Sequence, residues 1–184
     1  LDRYGVAKPL VSYHEHNEAS RAEDLVRELE QGKRIALVTD AGMPGISDPG
    51  FRLISLAVKR GMPVIPIPGA SAFLAALAAS GLPMDSFRFH GFLPSRSGQR
   101  RKVLESIRSS NETEIFYEAP HRLEDSLADI VEVLGASRPL VVAREMTKFH
   151  EEFLRGSARE ILGVLAARGD IKGEVTLLIA KLDE

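Results

Sequence analysis

The sequence predicts an α/β fold of two lobes, each a sheet flanked by helices. Short continuous apolar runs, typical of strands buried on both faces, alternate along the chain with segments of helical spacing. The segment Gly81-Leu82-Pro83-Met84-Asp85 interrupts this alternation. We therefore expect an N-terminal lobe over residues 1–82 and a C-terminal lobe over residues 83–184, which a length of 184 residues allows.

The N-terminal lobe is predicted to contain a parallel sheet, because its strands and helices alternate. Ser20 and Glu23 have the spacing of a capping box at the start of the first helix, and Gly32 follows the last apolar position of that helix. The remaining elements are a strand over 34–39, a helix over about 51–60, a strand over 64–67 and an alanine-rich helix over 70–80.

The C-terminal lobe contains more strands, and most of them are too continuously apolar to have one solvated face. Its helices are predicted over 98–108, 121–134 and 158–167. Its strands are predicted over 87–93, 114–117, 140–143 and 174–180, with a short one over 151–154.

Composition excludes several classes of protein. Apolar residues make up 44% and charged residues 27% of the chain, as in ordinary globular proteins. The absence of cysteine excludes a disulfide framework and a cysteine nucleophile. No apolar run approaches the roughly 18 residues of a membrane span, so we expect a cytoplasmic protein without membrane association. The chain opens with Leu1 and has no strand before the first helix, so we expect it to be a fragment.

Two glycine-containing turns follow the predicted N-terminal strands, at the end of a sheet where α/β proteins bind ligands. The first, residues 40–50, has Asp40 at the strand tip, and it matches neither a P-loop nor a dinucleotide fingerprint. The alternative to ligand binding is a purely structural role, in which residues 40–50 form a tight strand-to-helix loop with Asp40 as a cap. The second, residues 66–72, includes Ser71, which either caps the next helix or reaches a ligand.

Charged residues gather at two further strand ends. In residues 116–122, Glu118 and Arg122 suit a polar substrate or phosphate, although a glutamate in this position is also common at a helix start. Arg144 and Glu145 directly follow an apolar strand and therefore need partners or water. An internal salt bridge is the structural alternative for this pair.

One stretch, residues 96–102, contains four cations and no acid in a chain of net charge −2. Phosphate binding is the functional interpretation of this stretch, and a solvated helix face is the alternative. His14 and His16 lack a third ligand, so we expect no metal site.

Taken together, these segments resemble the ribosomal RNA small subunit methyltransferase I group of the tetrapyrrole methylase superfamily. The segments that carry the resemblance are residues 40–50, 68–72, 92–94, 116–122 and 144–148. The resemblance implies a two-lobed methylase, usually a homodimer, with S-adenosylmethionine in a cleft between the lobes. The implied reaction is 2′-O-methylation of a cytidine in the decoding region of 16S rRNA in the small ribosomal subunit.

The resemblance also assigns roles to particular residues. The predicted cofactor-binding residues are Asp40, Ala41, Gly42, Met43, Ser71, Ala72, Tyr117, Ala143, Arg144, Gly173 and Glu174. Methyl transfer to a ribose hydroxyl calls for a base, or for a cation that stabilises the developing alkoxide. Lys148 and Glu145 are the preferred candidates, ahead of Glu118. The residues expected to contact RNA phosphates are Arg96, Arg100, Arg101, Lys102 and Arg122.

Two other functions remain open at this stage. The first is a related methylase that acts on a small molecule, such as a tetrapyrrole, or on a protein side chain. The basic stretch favours RNA over these substrates, and a substrate screen with labelled cofactor separates them. The second is a non-catalytic RNA- or ribosome-binding module, and cofactor binding by this chain argues against it.

Overall fold

A computed structural model describes residues 2–182 of the chain, which fall into two compact units. The first unit ends at Ala70 and the second begins at Ser71. The boundary expected between residues 82 and 83 stays a prediction. Among the described residues, no helix is long and apolar enough to cross a membrane.

The first unit is built around two helices, α1 (Glu18–Glu30) and α2 (Phe51–Lys59), which follow a short 3₁₀ turn at Asp2–Tyr4. The capping box predicted at Ser20 is wrong, because α1 begins before it and has Asn17 as its N-cap. The Asn17 side chain instead accepts a hydrogen bond from the backbone N–H of His14 at 2.8 Å. The helices share an apolar cluster formed by Ala22, Leu25, Val26, Leu53 and Ala57.

The parallel sheet predicted for the first unit is not formed among residues 2–70. Residues 34–39 and 64–67 take part in no β-ladder, and a strand requires a hydrogen-bonded neighbour. Half-buried and exposed side chains alternate along residues 34–39, so this segment retains the period of a strand. Ile65 and Ile67 are 75% and 77% exposed, which corrects the expectation that both faces of these segments are covered.

The second unit contains a five-stranded sheet in the order β1-β2-β5-β3-β4. Its strands are β1 (Phe87–Phe92), β2 (Thr113–Glu118), β3 (Pro139–Arg144), β4 (Glu152–Ser157) and β5 (Val175–Ile179). Its helices are α3 (Ala72–Ser80), α4 (Ser97–Ser106), α5 (Leu123–Leu134) and α6 (Ala158–Ala166). Only the β1–β2 pair is parallel; the other three pairs are antiparallel. The elements predicted from the sequence are all present here, within a few residues of the predicted bounds.

Helices cover both faces of this sheet, as the continuous apolar strands predict. The larger cluster joins α4, α5 and α6 to one face through side chains such as Leu127 and Leu177. On the opposite face, Ala76 and Leu77 of α3 pack with side chains such as Val141. Helix α3 was expected in the N-terminal lobe, but it packs on the sheet of the second unit. The sheet therefore fixes the positions of the loops that follow β2 and β3.

Candidate functional site

A small cavity of about 210 Å³ lies beside the glycine-containing loop of the first unit and is lined by Tyr13, Leu37, Val38, Thr39, Asp40, Asp48 and Pro49. Thr39 closes the base of the loop by donating its hydroxyl to Asp48 Oδ2 at 3.1 Å. Asp40 itself is exposed at the rim. The structural alternative for Asp40, a side-chain cap on helix α2, is not observed, because that helix has no side-chain capping hydrogen bond.

The two glycine-containing turns of the first unit lie against each other. A Cβ atom added to Gly42 would lie 3.7 Å from the carbonyl oxygen of Ala70, and one added to Gly69 would lie 3.6 Å from Cγ of Met43. Gly42 also has a φ of 76°, a left-handed conformation that favours glycine. The fold of the first unit thus brings together the motif residues 40–43 and 69–70, which are distant in sequence.

In the second unit, charged residues converge where β3 ends and β5 begins. The Lys148 ammonium lies 2.9 Å from Glu145 Oε1 and 3.2 Å from Glu174 Oε2. The same Glu145 oxygen accepts the backbone N–H of Glu174 at 2.9 Å, and the backbone N–H of Glu145 donates to the Glu174 carbonyl at 3.0 Å. We call Glu145, Lys148, Gly173 and Glu174 the lysine cluster. Among residues 2–182, no group of three or more acidic or histidine side chains is arranged to bind a metal ion.

Hydrogen bonds in the lysine cluster favour the charged forms of both Glu145 and Lys148. The hydrogen bond from Lys148, followed by the backbone hydrogen bond at Glu174, lowers the pKa of Glu145. The hydrogen bond to Glu145 raises the pKa of Lys148. A carboxylate with a lowered pKa is a weaker base, and a lysine with a raised pKa has no free electron pair near neutral pH. The arrangement therefore suits Lys148 to stabilise negative charge rather than to accept a proton.

The position of the Glu145 carboxylate requires a glycine at Gly173. Its φ is 95°, and a Cβ atom added there would overlap the Glu145 side chain. Glu145 and Thr147 also have positive φ values, of 50° and 65°. Such backbone conformations are costly for residues other than glycine and occur often at functional sites.

We expect Gly173→Ala to lower the free energy of unfolding by about 1–3 kcal/mol and to displace Glu145 from Lys148. Gly169→Ala is the matched control, because Gly169 lies in the same loop with a φ of 74° but with open space around its Cα. Urea denaturation of both variants separates the effect of the steric overlap with Glu145 from the effect of the strained backbone conformation. Equal destabilisation by the two substitutions would contradict the assigned role of Gly173.

Arg144 is held by partners in its own unit rather than left open to a ligand. Its Nε donates to Glu152 at 3.3 Å, and its Nη1 donates to the carbonyl of Lys172 at 3.1 Å. Glu152 also pairs with Arg168, and although burial opposes it, the two arginines together lower the pKa of Glu152. The internal salt bridge considered for Arg144 is therefore present. Arg144 positions the turn that contains Gly173.

Glu118 and Arg122 form a structural pair at the end of β2. The Glu118 side chain is fully buried and lies 2.7 Å from Nη2 of Arg122. It also accepts the backbone N–H of Ala119 at 2.7 Å and the hydroxyl of Ser126 at 2.5 Å. With both oxygens bonded and no accessible surface, Glu118 has no path to a substrate, so the structure corrects its assignment as a candidate base. Arg122 is correspondingly bound to Glu118 rather than extended towards phosphates.

The basic stretch divides into two pairs with different surroundings. Arg100 is only 3% exposed and pairs with the largely buried Asp129 of α5, with a shortest distance of 2.5 Å. Arg101 binds the same carboxylate at 2.9 Å and also contacts Glu132. The expected phosphate contact of Arg100 is therefore corrected to a buried ion pair. Arg96 and Lys102 are exposed and make no ion pair with any other residue in the described range.

The other predicted cofactor residues differ in their accessibility. Ser71 is the N-cap of α3, but its side chain makes no capping hydrogen bond, so its hydroxyl is not committed to the helix. Ala72 is exposed, and Tyr117 is half-buried against the rings of Phe89 and Phe92. Ala143 has no exposed surface and packs in the α3 cluster. A cofactor contact by the Ala143 side chain is therefore not supported.

The sequence interpretation missed one feature of the lysine cluster and one exposed residue beside it. Glu174 was expected to bind the cofactor, yet it also provides the second carboxylate partner of Lys148. Phe149, next to Lys148 in the same loop, was not singled out, although its side chain is 96% exposed. An aromatic residue within a polar segment between two strands was the available signal for it.

The family model of the tetrapyrrole (corrin/porphyrin) methylases matches residues 3–162, so the chain belongs to this family. A ribosomal RNA small subunit methyltransferase I from Halalkalibacterium halodurans is 50% identical over 97% of this chain and 61% of its own length. The protein of the same name from Bacillus subtilis is 46% identical over 96% of this chain and 60% of its own length. The chain thus spans less than two thirds of the length of these relatives. Their identity to it over nearly its whole length confirms the resemblance predicted from the motifs.

Solved structures confirm the predicted fold class at much lower identity. A diphthine synthase aligns with all of this chain and 73% of its own, with a TM-score of 0.72 and 17% identity. A uroporphyrin-III C-methyl transferase from Thermus thermophilus, complexed with S-adenyl homocysteine, aligns with 89% of this chain and 73% of its own. Its TM-score is 0.58 and its identity 14%.

Proposed function

We propose that this chain is part of an S-adenosylmethionine-dependent methyltransferase that modifies the 2′-hydroxyl of a cytidine in 16S rRNA. The observation that carries this proposal is the lysine cluster, in which two carboxylates hold one ammonium group at a strand end. The names of the relatives support an rRNA substrate. Family membership supports methyl transfer.

The residues of this chain suit an adenosyl cofactor. Asp40 offers an exposed carboxylate for hydroxyl or amino groups, and Gly42, which is also exposed, has no side chain to block approach to the backbone. Ala41 and Met43 complete this proposed set in the first unit. In the second unit, the resemblance implies Ser71, Ala72 and Tyr117 as cofactor residues, and Tyr117 has an aromatic ring suited to a purine. S-adenosylmethionine, when bound, supplies an electrophilic methyl group and its own leaving group, so the protein chiefly has to align the reactants.

Lys148 is the proposed catalytic residue, acting as a fixed cation. A ribose hydroxyl passes its proton to solvent water as its oxygen is methylated, and a preorganised ammonium stabilises the negative charge that develops on that oxygen. Glu145 and Glu174 hold the ammonium in place, while Gly173 and Arg144 keep the Glu145–Glu174 contact in register. Glu145 is thus a positioning residue rather than the base.

Methyl transfer from labelled S-adenosylmethionine to unmodified small ribosomal subunits tests the proposed function. The expected result is label in the rRNA, reduced strongly by Lys148→Met and unaffected by Arg159→Met, a surface change in α6. Label in a ribosomal protein, or only in an added tetrapyrrole, would overturn the rRNA assignment. Binding of RNA without cofactor binding would instead favour the non-catalytic module.

Arg96 and Lys102 are the proposed phosphate contacts of the basic stretch. Replacing both with glutamine should weaken RNA binding and reduce the slope of log K against log salt by about 1.4–1.8, since each neutralised phosphate contributes about 0.7–0.9. Filter binding over a salt series measures this slope. Lys59→Gln together with Lys181→Gln removes the same charge elsewhere and is the matched control; an equal change from that pair would contradict the assignment.

The remaining partners rest on the resemblance alone. We propose a homodimer acting on the small ribosomal subunit in the cytoplasm. Sedimentation of the purified protein, alone and with subunits, tests both assemblies. A purely monomeric species at micromolar concentration would contradict the dimer.

A further inference from the structure

The loop that joins β3 to β4 presents Phe149 to solvent beside the lysine cluster. At 96% exposure, Phe149 is the most exposed large apolar side chain among residues 2–182. A phenylalanine ordinarily gains stability by burial, so full exposure at a hairpin tip forgoes that contribution. Single exposed apolar residues are common on protein surfaces, so what distinguishes Phe149 is its place directly beside Lys148 of the lysine cluster.

Hydrogen bonds order this loop before anything binds to it. The backbone N–H of Thr147 donates to Glu151 Oε2 at 2.7 Å, and that of Lys148 donates to the carbonyl of Glu145 at 3.0 Å. Met146 points to the other side and packs against the α3 cluster. The loop backbone is therefore already ordered, and binding of a partner to Phe149 would cost little further conformational entropy.

The surroundings of the Phe149 ring leave room for a flat aromatic partner. The His150 ring stands at 86° to it with a centroid distance of 5.0 Å, and the exposure of Phe149 leaves ring surface available for stacking. Lys148, one residue away, is bound by Glu145 and Glu174, and its side chain remains 43% exposed to a ligand. Proteins that bind single-stranded nucleic acid combine aromatic rings, on which bases stack, with cations that contact the backbone.

We propose that Phe149 is a stacking platform for a nucleobase of the RNA substrate, at or next to the nucleotide whose ribose Lys148 faces. This inference rests on the proposed function, because it needs an RNA substrate at the lysine cluster. It makes Phe149 a substrate-positioning residue. The platform holds the base, and Lys148 acts on the hydroxyl of the attached or neighbouring ribose.

The test compares Phe149→Ala, Phe149→Leu and Phe149→Trp for binding of fluorescein-labelled oligocytidylate at fixed salt. Loss of one stacked base weakens binding about 5- to 150-fold. We expect that loss for the alanine and leucine variants, retention for tryptophan, and an unchanged salt slope for all three. Phe51→Ala removes another exposed phenylalanine, on helix α2, and should bind like the wild type.

The tryptophan variant also reports directly on contact, since the chain has no other tryptophan. Its fluorescence should be quenched by oligocytidylate and not by the same oligomer lacking bases. If Phe149→Leu bound oligocytidylate as tightly as the wild type, that result would overturn stacking in favour of simple apolar contact. A change in sedimentation caused by Phe149→Ala would overturn it in favour of an interface between two copies of this chain.

The inference and the proposed function fail in different ways. If the wild type methylates rRNA and Phe149→Ala binds oligocytidylate and methylates equally well, the stacking role is wrong and the proposed function stands. If the wild type binds S-adenosylmethionine but neither binds nor methylates RNA, both are wrong.

Discussion

Replacing Arg100 with leucine will lower the free energy of unfolding by about 3–5 kcal/mol, because it takes the buried one of two cationic partners away from a buried carboxylate. Arg100 and Asp129 are both largely buried, and Arg100 also donates to the carbonyls of Pro94 and Ser95. Ser97 and Arg101 continue to bind Asp129, which places the expected loss near the lower end of this range. Urea denaturation at neutral pH measures it.

The double variant Arg100→Leu/Asp129→Leu separates a broken ion pair from a general packing defect. Apolar replacement of a whole buried pair is often neutral or stabilising, so the double variant should recover much of the lost stability. Lys102→Leu, on the exposed side of α4, should change stability by less than about 0.5 kcal/mol. A double variant as unstable as the sum of its single variants would contradict the assigned pairing.

The contribution of Asp129 should also depend on pH. Burial opposes the charged form, but hydrogen bonds from Arg101, Ser97 and Arg100 outweigh it and lower the pKa of Asp129. Its stabilisation is complete above the pKa of an unfolded aspartate, about 3.9, and is lost as pH falls through the lower folded-state pKa. The stability difference between wild type and Arg100→Leu should therefore shrink as pH falls below about 4.

Lys148→Met will reduce the rate of methyl transfer by about 100- to 1,000-fold, the usual effect of removing one preorganised group that stabilises developing negative charge. Binding of S-adenosylmethionine, followed by calorimetry, should be unchanged within about threefold, which corresponds to roughly 0.6 kcal/mol. Lys148→Arg keeps the charge and should recover part of the rate. Single-turnover kinetics with unmodified small subunits measures these rates.

The pH dependence of the rate distinguishes a cation from a base at Lys148. The pKa of Lys148 is raised and that of Glu145 is lowered by their mutual hydrogen bond, so both stay charged from about pH 5 to 9. A fixed cation then adds no ionisation to the rate profile in that interval. A rate that rises tenfold per pH unit for wild type, but not for Lys148→Met, would show that Lys148 acts as the base.

The sequence predicts the second unit well because its elements complete one another. The apolar runs of β3 and β5 pair in the sheet, and helices cover both faces, so local pattern and tertiary contacts agree. Residues 34–39 and 64–67 have equally apolar patterns, but they find no ladder partner among residues 2–70. A strand forms only when a second segment provides hydrogen-bonding partners for its backbone, and the apolar pattern of one segment does not show whether such a neighbour exists.

The candidate site could be predicted only in part, for a related reason. The resemblance predicted Glu174, and the motifs predicted Glu145 and Lys148, near the site, but the sequence did not show that both carboxylates bind the same ammonium. It also placed Arg100 and Glu118 among the functional residues, whereas their partners, Asp129 and Ser126, lie on α5. Charge in a sequence does not show which charges are already paired in the fold.

The nucleoside that receives the methyl group tests the central claim most directly. Small subunits labelled with S-adenosylmethionine by this protein would be digested to nucleosides and analysed by mass spectrometry. Our account predicts 2′-O-methylcytidine in wild-type samples and its loss with Lys148→Met. A methyl group on a base, or on the ribose of another nucleoside, would contradict the proposed reaction at the lysine cluster.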